Sequence, residues 1–370
     1  MIERNDRRIQ KYLTPYRYPE PVLTGSGIEG AFDEKGVDIP FVFWHNNQFY
    51  MLYTGFDGTG YQSALAVSDD LLHWTHKGVI LKRDLSSERW DRIGGSATWI
   101  VKDSNSLWEI PKLKKVDGKY IMVYHSYPNS GYEDGPAEIG LAWCSDEELL
   151  DWHFSEKPIF SWKDGEDWEA GGLYKACLLY ENNQWYLFYN AKNKEARWIE
   201  QTGMAVSKDL KDFQRCRENP ILKIGKNSWD ERFVSDPYIV YDGDMWINFY
   251  FGLGNVDADG KPLLSAKGEP LLDENGKPSL MGYSHAQEGL ALSKDFIHWE
   301  KVREPIIPFG EPGRIDSGHA HKASMVYYEG TLYHFYCGTR PVQEGDVTSL
   351  YEEFRTICLA TSKAIKNEME

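Results

Sequence analysis

The chain has 370 residues, 41% of them hydrophobic and 14% aromatic, which is enough apolar material for a folded core. Its formal net charge of -16 argues against nucleic acid or an anionic membrane as a partner, because both attract basic surfaces. No stretch approaches 18 apolar residues and the N-terminus lacks an apolar signal region, so we expect a cytoplasmic protein without a membrane span.

A segment of similar sequence recurs along the chain. Each copy has an apolar run, a turn of the Asn-Asn-Gln or Asp-Gly type (Glu-Gly in the fifth copy), an aromatic-rich second run and a third run that ends near Ser-Lys or Ser-Asp. Short runs of β-branched and aromatic residues joined by such turns predict β-strands in antiparallel hairpins. In chain order, the turns of the five copies begin at Asn46, Asp117, Asn182, Asp242 and Glu329.

Four strands repeated five times predict an all-β protein, a single five-bladed β-propeller domain over residues 1–370, because one such sheet cannot bury its own faces. A β-sandwich is the alternative, but it would not repeat an internal sequence. The fifth copy stops after its third strand, whereas Pro21-Val22-Leu23 stands before the first copy. We therefore expect this N-terminal segment to supply the outer strand of the last blade and close the ring.

Two segments interrupt the repeat, one over about residues 86–107 and one over about residues 255–285. Both are candidates for loops that shape a pocket.

The first strand of each blade lines the channel of a propeller, so polar side chains at its start should meet at the channel mouth. We aligned the copies on the aromatic residue of the second strand and counted back the same number of positions in each. This brings together Asp38, Glu109, Tyr174, Ser235 and His321, followed by Ile39, Ile110, Lys175, Asp236 and Lys322.

Three carboxylates, Asp38, Glu109 and Asp236, are thereby expected to face one channel. Like charges so close together are unfavourable unless water, a cation or a function offsets the repulsion. Glycoside hydrolysis uses such a set: an acid of raised pKa protonates the leaving oxygen, and a carboxylate activates water or attacks directly. Structural ion pairs with neighbouring Lys or Arg side chains are the alternative for Glu109 and Asp236.

The acid-Pro strand starts, the Trp-Tyr-Leu-Phe-Tyr second strand and the Ala-Val-Ser-Lys-Asp-Leu strand end resemble the five-bladed propeller glycosidases of glycoside hydrolase families 43, 32, 62, 117 and 130. The resemblance covers nearly the whole chain. It implies that Asp38 is the general base. The chain departs from the family pattern at Tyr174-Lys175 and at Asp236, where a Glu is expected. We expect Glu109 as acid and Asp236 as modulator, with these two roles interchangeable. Glu169 is a reserve candidate for the acid. The resemblance also implies a calcium ion that His321 could hold in the channel, although no cofactor is required for the chemistry.

The expected substrate is a small oligosaccharide or glycoside, cleaved from one end with inversion. His319 and His321 are two positions apart and share one face of a strand. The residues expected to bind substrate are Lys175, His319, His321, Lys322, Trp168, Glu169 and Arg340.

Two alternatives stay open. The basic side chains could bind phosphate, as in a glycoside phosphorylase of the family 130 type. A non-catalytic carbohydrate-binding propeller is the other. The sequence gives no indication of the oligomeric state.

Overall fold

The computed structural model describes residues 1–195, 198–254, 285–350 and 353–365. Within these residues the chain is all-β, as predicted. The helical segments of this part of the chain are three short 3-10 turns, and none is long or apolar enough to cross a membrane. These turns are Gln10–Tyr12, Trp162–Asp164 and Asp167–Glu169.

The strands run in chain order through five antiparallel groups. Two short strands come first: β1 (Tyr16–Arg17) and β2 (Leu23–Thr24). Group one contains β3 (Gly36–His45), β4 (Gln48–Phe56), β5 (Tyr61–Ser68) and β6 (Thr75–Leu81). Group two contains β7 (Ser96–Ile100), β8 (Lys115–Val116), β9 (Lys119–Ser126), β10 (Glu138–Cys144) and β11 (His153–Phe154).

The remaining groups have the same order of hairpins. Group three contains β12 (Gly172–Glu181), β13 (Gln184–Lys192), β14 (Glu200–Ser207) and β15 (Gln214–Arg215). Group four contains β16 (Phe233–Tyr241), β17 (Trp246–Gly254), β18 (His285–Ser293) and β19 (Trp299–Lys301). Group five contains β20 (His319–Tyr328), β21 (Thr331–Pro341) and β22 (Glu353–Thr361).

The N-terminal strands lie in the sheet of group five. Tyr16 of β1 pairs with Thr361 of β22, and Leu23 of β2 pairs with Ile357 of the same strand, both antiparallel. The first strands of the groups also touch one another in cyclic order, β3 with β7, β7 with β12, β12 with β16, β16 with β20 and β20 with β3. Strands from the two ends of the sheet region therefore contact each other.

Several groups have a buried tyrosine at the same position of the second strand. In three groups its hydroxyl donates to an acid that precedes the first strand. These pairs are Tyr124–Asp91 (2.8 Å), Tyr250–Asp230 (3.2 Å) and Tyr336–Asp316 (2.8 Å). A glycine lies directly opposite this tyrosine on the third strand of groups two, three and four, at Gly140, Gly203 and Gly289. At each of these glycines, a Cβ would fall within 2.6 Å of the tyrosine ring. The aromatic ring thus fills the space that the missing side chain leaves.

One predicted insertion is wrong. Residues 86–107 include β7, which is the first strand of group two rather than part of a loop. The long connection comes after β7, over residues 101–114, and it meets group one, where the Trp44 amide donates to the carbonyl of Pro111. Of the second predicted insertion, residues 255–284 lie outside the described residues, and His285 begins β18.

Candidate functional site

A cavity of about 160 Å³ opens where the first strands begin. Polar and charged side chains form much of its wall: His125, Glu133, Lys175, Asn190, Glu200, Asp236, His319, His321, Lys322 and Arg355. Aromatic side chains form most of the rest: Tyr127, Tyr132, Tyr174, Trp198, Phe233 and Phe251. Each of groups two to five therefore contributes polar or aromatic side chains to this cavity, and group one contributes Ile39.

A β-bulge at the start of the first strand aims these side chains inward. In four groups the residue at the bulge has a positive φ: Ile39 (52°), Lys175 (44°), Asp236 (54°) and Lys322 (69°). A bulge bends its strand and redirects a side chain, and a non-glycine residue with positive φ is uncommon. Its recurrence at equivalent positions places two lysines and one aspartate on the cavity wall.

Asp38 is buried directly beneath this wall and is 2% exposed. Its Oδ2 accepts hydrogen bonds from Lys322 Nζ at 2.6 Å and from Arg355 Nη1 at 3.0 Å. Its Oδ1 accepts one from the backbone amide of Ile39 at 2.8 Å. Burial by itself would raise the pKa of Asp38, but the charges of Lys322 and Arg355 outweigh it and hold this pKa well below its ordinary value.

The predicted role of Asp38 as general base has little support in this geometry. A carboxylate whose pKa is held so low takes up a proton poorly, and both of its oxygens are already occupied. Asp38 also belongs to the layer behind the cavity wall rather than to the wall itself. Its contacts suit a role in holding Lys322 and Arg355.

Three buried side chains resemble a set of metal ligands, but they surround the guanidinium group of Arg355. Carboxylate, imidazole and thiol ligand atoms of Asp38, His321 and Cys337 lie within 4.8 Å of one another. Arg355 Nη1 contacts all three, at 3.0 Å from Asp38 Oδ2, 3.4 Å from His321 Nε2 and 3.7 Å from Cys337 Sγ. Calcium prefers six to eight oxygen ligands. These residues do not fit the calcium ion implied for His321, because the guanidinium fills the position and only one of the three residues offers oxygen.

Two carboxylates on the wall form a close pair. Ser235 Oγ lies 2.7 Å from Glu200 Oε2 and 3.2 Å from Asp236 Oδ1. Asn190 Nδ2 bridges the same two oxygens at 2.9 and 3.3 Å. The two oxygens are therefore no more than about 6 Å apart, given hydrogen bonds of this length to one shared hydroxyl.

This pair holds protons more tightly than ordinary carboxyl groups. Burial, followed by the charge of Asp236, raises the pKa of Glu200 to about 7. Burial also raises the pKa of Asp236 to about 6, although Lys322 and Lys175 lower it in part. Two carboxylates that share donors in a buried site cannot both ionise easily. Near neutral pH Glu200 is therefore close to the midpoint of its titration, and it holds a proton more readily than Asp236.

A third buried acid lies behind them. Both side-chain oxygens of Glu288 are buried, and no side chain in the described part of the chain donates a hydrogen bond to them. Burial raises its pKa well above the ordinary value, against the attraction of Lys175. Burial likewise lowers the pKa of Lys175, which Asp236 partly offsets, and lowers that of His125 to about 3.

The other predicted substrate-binding residues divide into two sets. Lys175, His319, His321 and Lys322 line the cavity, and His319 Nε2 lies 3.3 Å from a carboxylate oxygen of Glu353. Trp168, Glu169 and Arg340 do not belong to its wall. Trp168 stacks on Tyr189, Glu169 is fully buried in an ion pair with Arg215 (2.7 Å), and Arg340 binds Asp346 (2.7 Å). These three residues hold the structure together rather than line the site.

Glu109 was predicted to meet Asp38, and this is wrong. Glu109 is exposed and belongs to the connection after β7, next to Leu107, whose amide donates to the carbonyl of Tyr241 at the far end of β16. It therefore lies at the opposite end of the first strands from the cavity. The alignment failed here because the connection of residues 101–114 lengthens the distance from the first strand to the second.

Sequence reasoning missed Glu200, Asn190 and Glu133. Glu200 begins the third strand of its group, where the alignment on first strands does not look. The signal that could have found it is a charged residue at the head of an apolar strand, in Glu200-Gln201-Thr202 just before Gly203-Met204-Ala205. Such a residue must be paired or functional when it is buried.

No protein-family model matches the chain. Part of its sequence is similar to two curated proteins of Thermoanaerobacter sp. (strain X514). A β-1,2-mannobiose phosphorylase is 30% identical over 116 residues, 28% of this chain and 37% of that protein. A 1,2-β-oligomannan phosphorylase is 28% identical over 106 residues, 27% of this chain and 35% of that protein. The matched segments thus span little more than a third of each relative.

Solved structures match over nearly the whole chain. A structure of BT0996, described as an RGII complex, is 25% identical with a TM-score of 0.74, covering 98% of this chain and 96% of its own. A structure described as a glycoside hydrolase is 24% identical with a TM-score of 0.75, covering 99% and 97%. A GH130 structure, from work on mannoside phosphorylases and on hydrolases of β-1,2-mannosidic linkages, is 15% identical with a TM-score of 0.62, covering 94% of each chain. The chain therefore shares the fold of glycoside-processing enzymes similar to families 130 and 43.

Proposed function

We propose that the protein is a glycoside hydrolase that removes one sugar from the end of a short oligosaccharide. We further propose that its five groups of strands are the blades of a propeller closed by the N-terminal strands. Contacts between consecutive groups around the ring support this arrangement. They are Thr54–Ser96 (2.6 Å), Thr98–Ala176 (2.7 Å), Thr202–Val234 (3.1 Å), Tyr238–Met325 (3.1 Å) and Val42–Ser324 (2.9 Å).

The observation that carries the proposal is the carboxylate pair on the cavity wall. Hydrolysis of a glycoside needs a carboxylic acid that is still protonated near neutral pH. Glu200 meets this need, because burial and its neighbour Asp236 raise its pKa to about 7. We assign Glu200 as the general acid, and Asp236 as the carboxylate that keeps it protonated, which retains the modulating role expected for Asp236.

The remaining carboxylate of the wall is Glu133. Among the described residues that line the cavity, the acids are Glu133, Glu200 and Asp236. Glu133 is half-buried, and its Oε1 accepts a hydrogen bond from the hydroxyl of Tyr61 at 2.9 Å. We assign it the task of taking a proton from the attacking water. The water oxygen then bonds to the anomeric carbon, while the proton of Glu200 passes to the departing oxygen, and the product is inverted.

Phosphorolysis is the second candidate, because both curated relatives are phosphorylases. In that reaction phosphate replaces water as the nucleophile, so the cavity must bind the phosphate anion as well as the sugar. Three Lys and Arg side chains line it, but Lys322 and Arg355 are already paired with Asp38, and three carboxylates line it as well. This balance of charge favours water as the nucleophile. A carbohydrate-binding protein without catalysis would not need a protonated acid on the wall.

Turnover of a glycoside panel tests the proposal. The panel contains aryl glycosides of arabinofuranose, xylose, galactose and fructose-type sugars together with β-1,2-mannobiose, each with and without phosphate. We expect cleavage that does not need phosphate, with an inverted anomer seen first by ¹H NMR. A cytoplasmic location would restrict natural substrates to short imported oligosaccharides.

Variants separate the assigned acid from its surroundings. Glu200→Gln should lower kcat by at least about 100-fold, the usual size of a general acid contribution. Glu181→Gln, at the far end of β12, is the matched control and should keep wild-type activity. Release of a sugar phosphate only when phosphate is present would establish the phosphorylase instead. Full activity of Glu200→Gln would refute the assignment of the acid.

A further inference from the structure

One side of the cavity is apolar. Phe233, Phe251, Leu253 and Ala286 form a small buried cluster against which Trp198 packs. The ring centres of Trp198 and Phe233 are 5.5 Å apart, and those of Phe233 and Phe251 are 6.2 Å apart. We call these five residues the apolar wall. All five line the cavity.

A neighbouring part of the cavity wall is strongly polar, and it meets the apolar wall where Phe251 packs on His321, with 5.2 Å between the ring centres. Lys322, Arg355, His319 and His321 come from group five and lie around Asp38 and Glu353. A sugar ring whose hydroxyls need hydrogen-bond partners suits this side. The two parts of the wall therefore differ in the chemistry that they can recognise.

The apolar wall is tied to Glu200 by the backbone. Glu200 pairs with Phe233 in the single parallel contact between groups three and four. The amide of Glu200 donates to the carbonyl of Arg232 at 3.1 Å, and Arg232 Nε donates to the carbonyl of Trp198 at 3.0 Å. The ammonium group of Lys192 lies over the Trp198 ring, 4.1 Å from its centre, in a cation–π contact. The acid and the aromatic rings are thus fixed relative to each other.

A general acid must lie within hydrogen-bond reach of the oxygen that it protonates, and the leaving group is attached to that oxygen. The leaving group must therefore lie on the side of Glu200. We propose that the apolar wall is the binding subsite for the leaving group, and that it accepts a sugar or aglycone with a flat apolar face. The direction assigned to the ligand rests on the proposed function of Glu200.

The proposal predicts that Trp198 contributes to affinity for the leaving group and not for the sugar that is cleaved. Aromatic contacts of this kind are worth about a tenfold change in binding beyond the area that they bury. Affinity is measured by calorimetry in the Glu200→Gln background, so that the ligand is not consumed. The probes are the phenyl and methyl glycosides of each sugar in the panel, which differ only in the leaving group.

We expect Trp198→Ala to weaken binding of the phenyl glycoside about tenfold while the methyl glycoside binds as before. Trp198→Phe should restore most of the affinity, and it serves as the test if the alanine variant does not fold. Trp143→Ala, which removes a half-buried Trp that stacks on His153 in the outer strands of group two, is the control and should change neither affinity. Equal loss for both glycosides, or no loss for either, would overturn the proposal.

These outcomes are separate from those of the proposed function. If the wild-type protein cleaves nothing but Trp198→Ala still discriminates between the two glycosides, the subsite holds and the hydrolase proposal fails. If the wild-type protein is active and the variant does not discriminate, the subsite fails and the hydrolase remains.

Discussion

Removing the charge of Asp236 should lower the pKa of Glu200 by a measurable amount. The two carboxylate oxygens share a hydroxyl and an amide, which keeps them within about 6 Å. Two unit charges at about 6 Å interact by roughly 3 kcal/mol at an effective dielectric constant of about 20, or about 2 pK units. Asp236→Asn should therefore bring the pKa of Glu200 from about 7 to about 5, with burial unchanged.

The assay is a titration of the protein labelled with ¹³C at the glutamate side-chain carboxyl, followed by NMR. The signal of Glu200 is identified by its absence from Glu200→Gln. Asp209→Asn removes an exposed carboxylate elsewhere on group three and is the control. In Asp236→Asn, the alkaline limb of the pH profile of kcat should also move to lower pH. A pKa of Glu200 that shifts by less than about half a unit would refute the electrostatic coupling of the pair.

Three further predictions concern stability. The carboxylate pair has folded pKa values near 7 and 6 against ordinary values of 4.5 and 3.8, so stability should fall as pH rises from about 4 to 7, as measured by urea unfolding at fixed pH values. Gly203→Val should cost about 1–3 kcal/mol, because even the first atom of its side chain would lie 2.5 Å from the Tyr189 ring. Asp38→Asn should cost about 3–5 kcal/mol in the same measurement, because Lys322 and Arg355 stay buried without their anion.

Each of these has its own control. The slope with pH should become shallower in Glu200→Gln, and an unchanged slope would contradict the proton assignment. Gly78→Ala adds a methyl group that meets only the tip of the Leu150 side chain, and it should be tolerated where Gly203→Val is not. Glu147→Gln removes an exposed partner of Lys115 and should cost little. If Asp38→Asn instead lost activity without losing stability, the base role predicted from the sequence would regain support.

The strand pattern was readable from the sequence because it is local. The Asn-Asn-Gln, Asp-Gly and Glu-Gly turns and the apolar runs beside them coincide with a hairpin in each of the five groups, and the all-β class followed from them. The pairing of Leu23 with Ile357 was also anticipated, since the last copy lacked a strand and the first copy was preceded by one. The long connection after β7 was not, because its length breaks the repeat on which the alignment depended.

The site was predictable only in part. The positions of Lys175, Asp236 and Lys322 on the wall followed from the repeat, because the bulge that aims them recurs at one place in each first strand. The ion pair of Asp38 with Lys322 joins residues 284 positions apart, and no local pattern reports it. Lys322 and Arg355 both donate to Asp38, which favours a role in holding these two cations over the predicted role of base. Glu200 was missed because its pKa depends on burial and on a neighbour from the next group.

The pairing of β1 and β2 with β22 has a consequence for synthesis of the chain. These strands leave the ribosome well before β22, and their partner is completed only when residue 361 has been added. Throughout translation the first and last sheets share an open seam, and Asp38 has no cation to meet until β20 and β22 arrive. A nascent chain halted before β22 can form hairpins, but it cannot complete the cavity, because Arg355 of β22 belongs to the cavity wall.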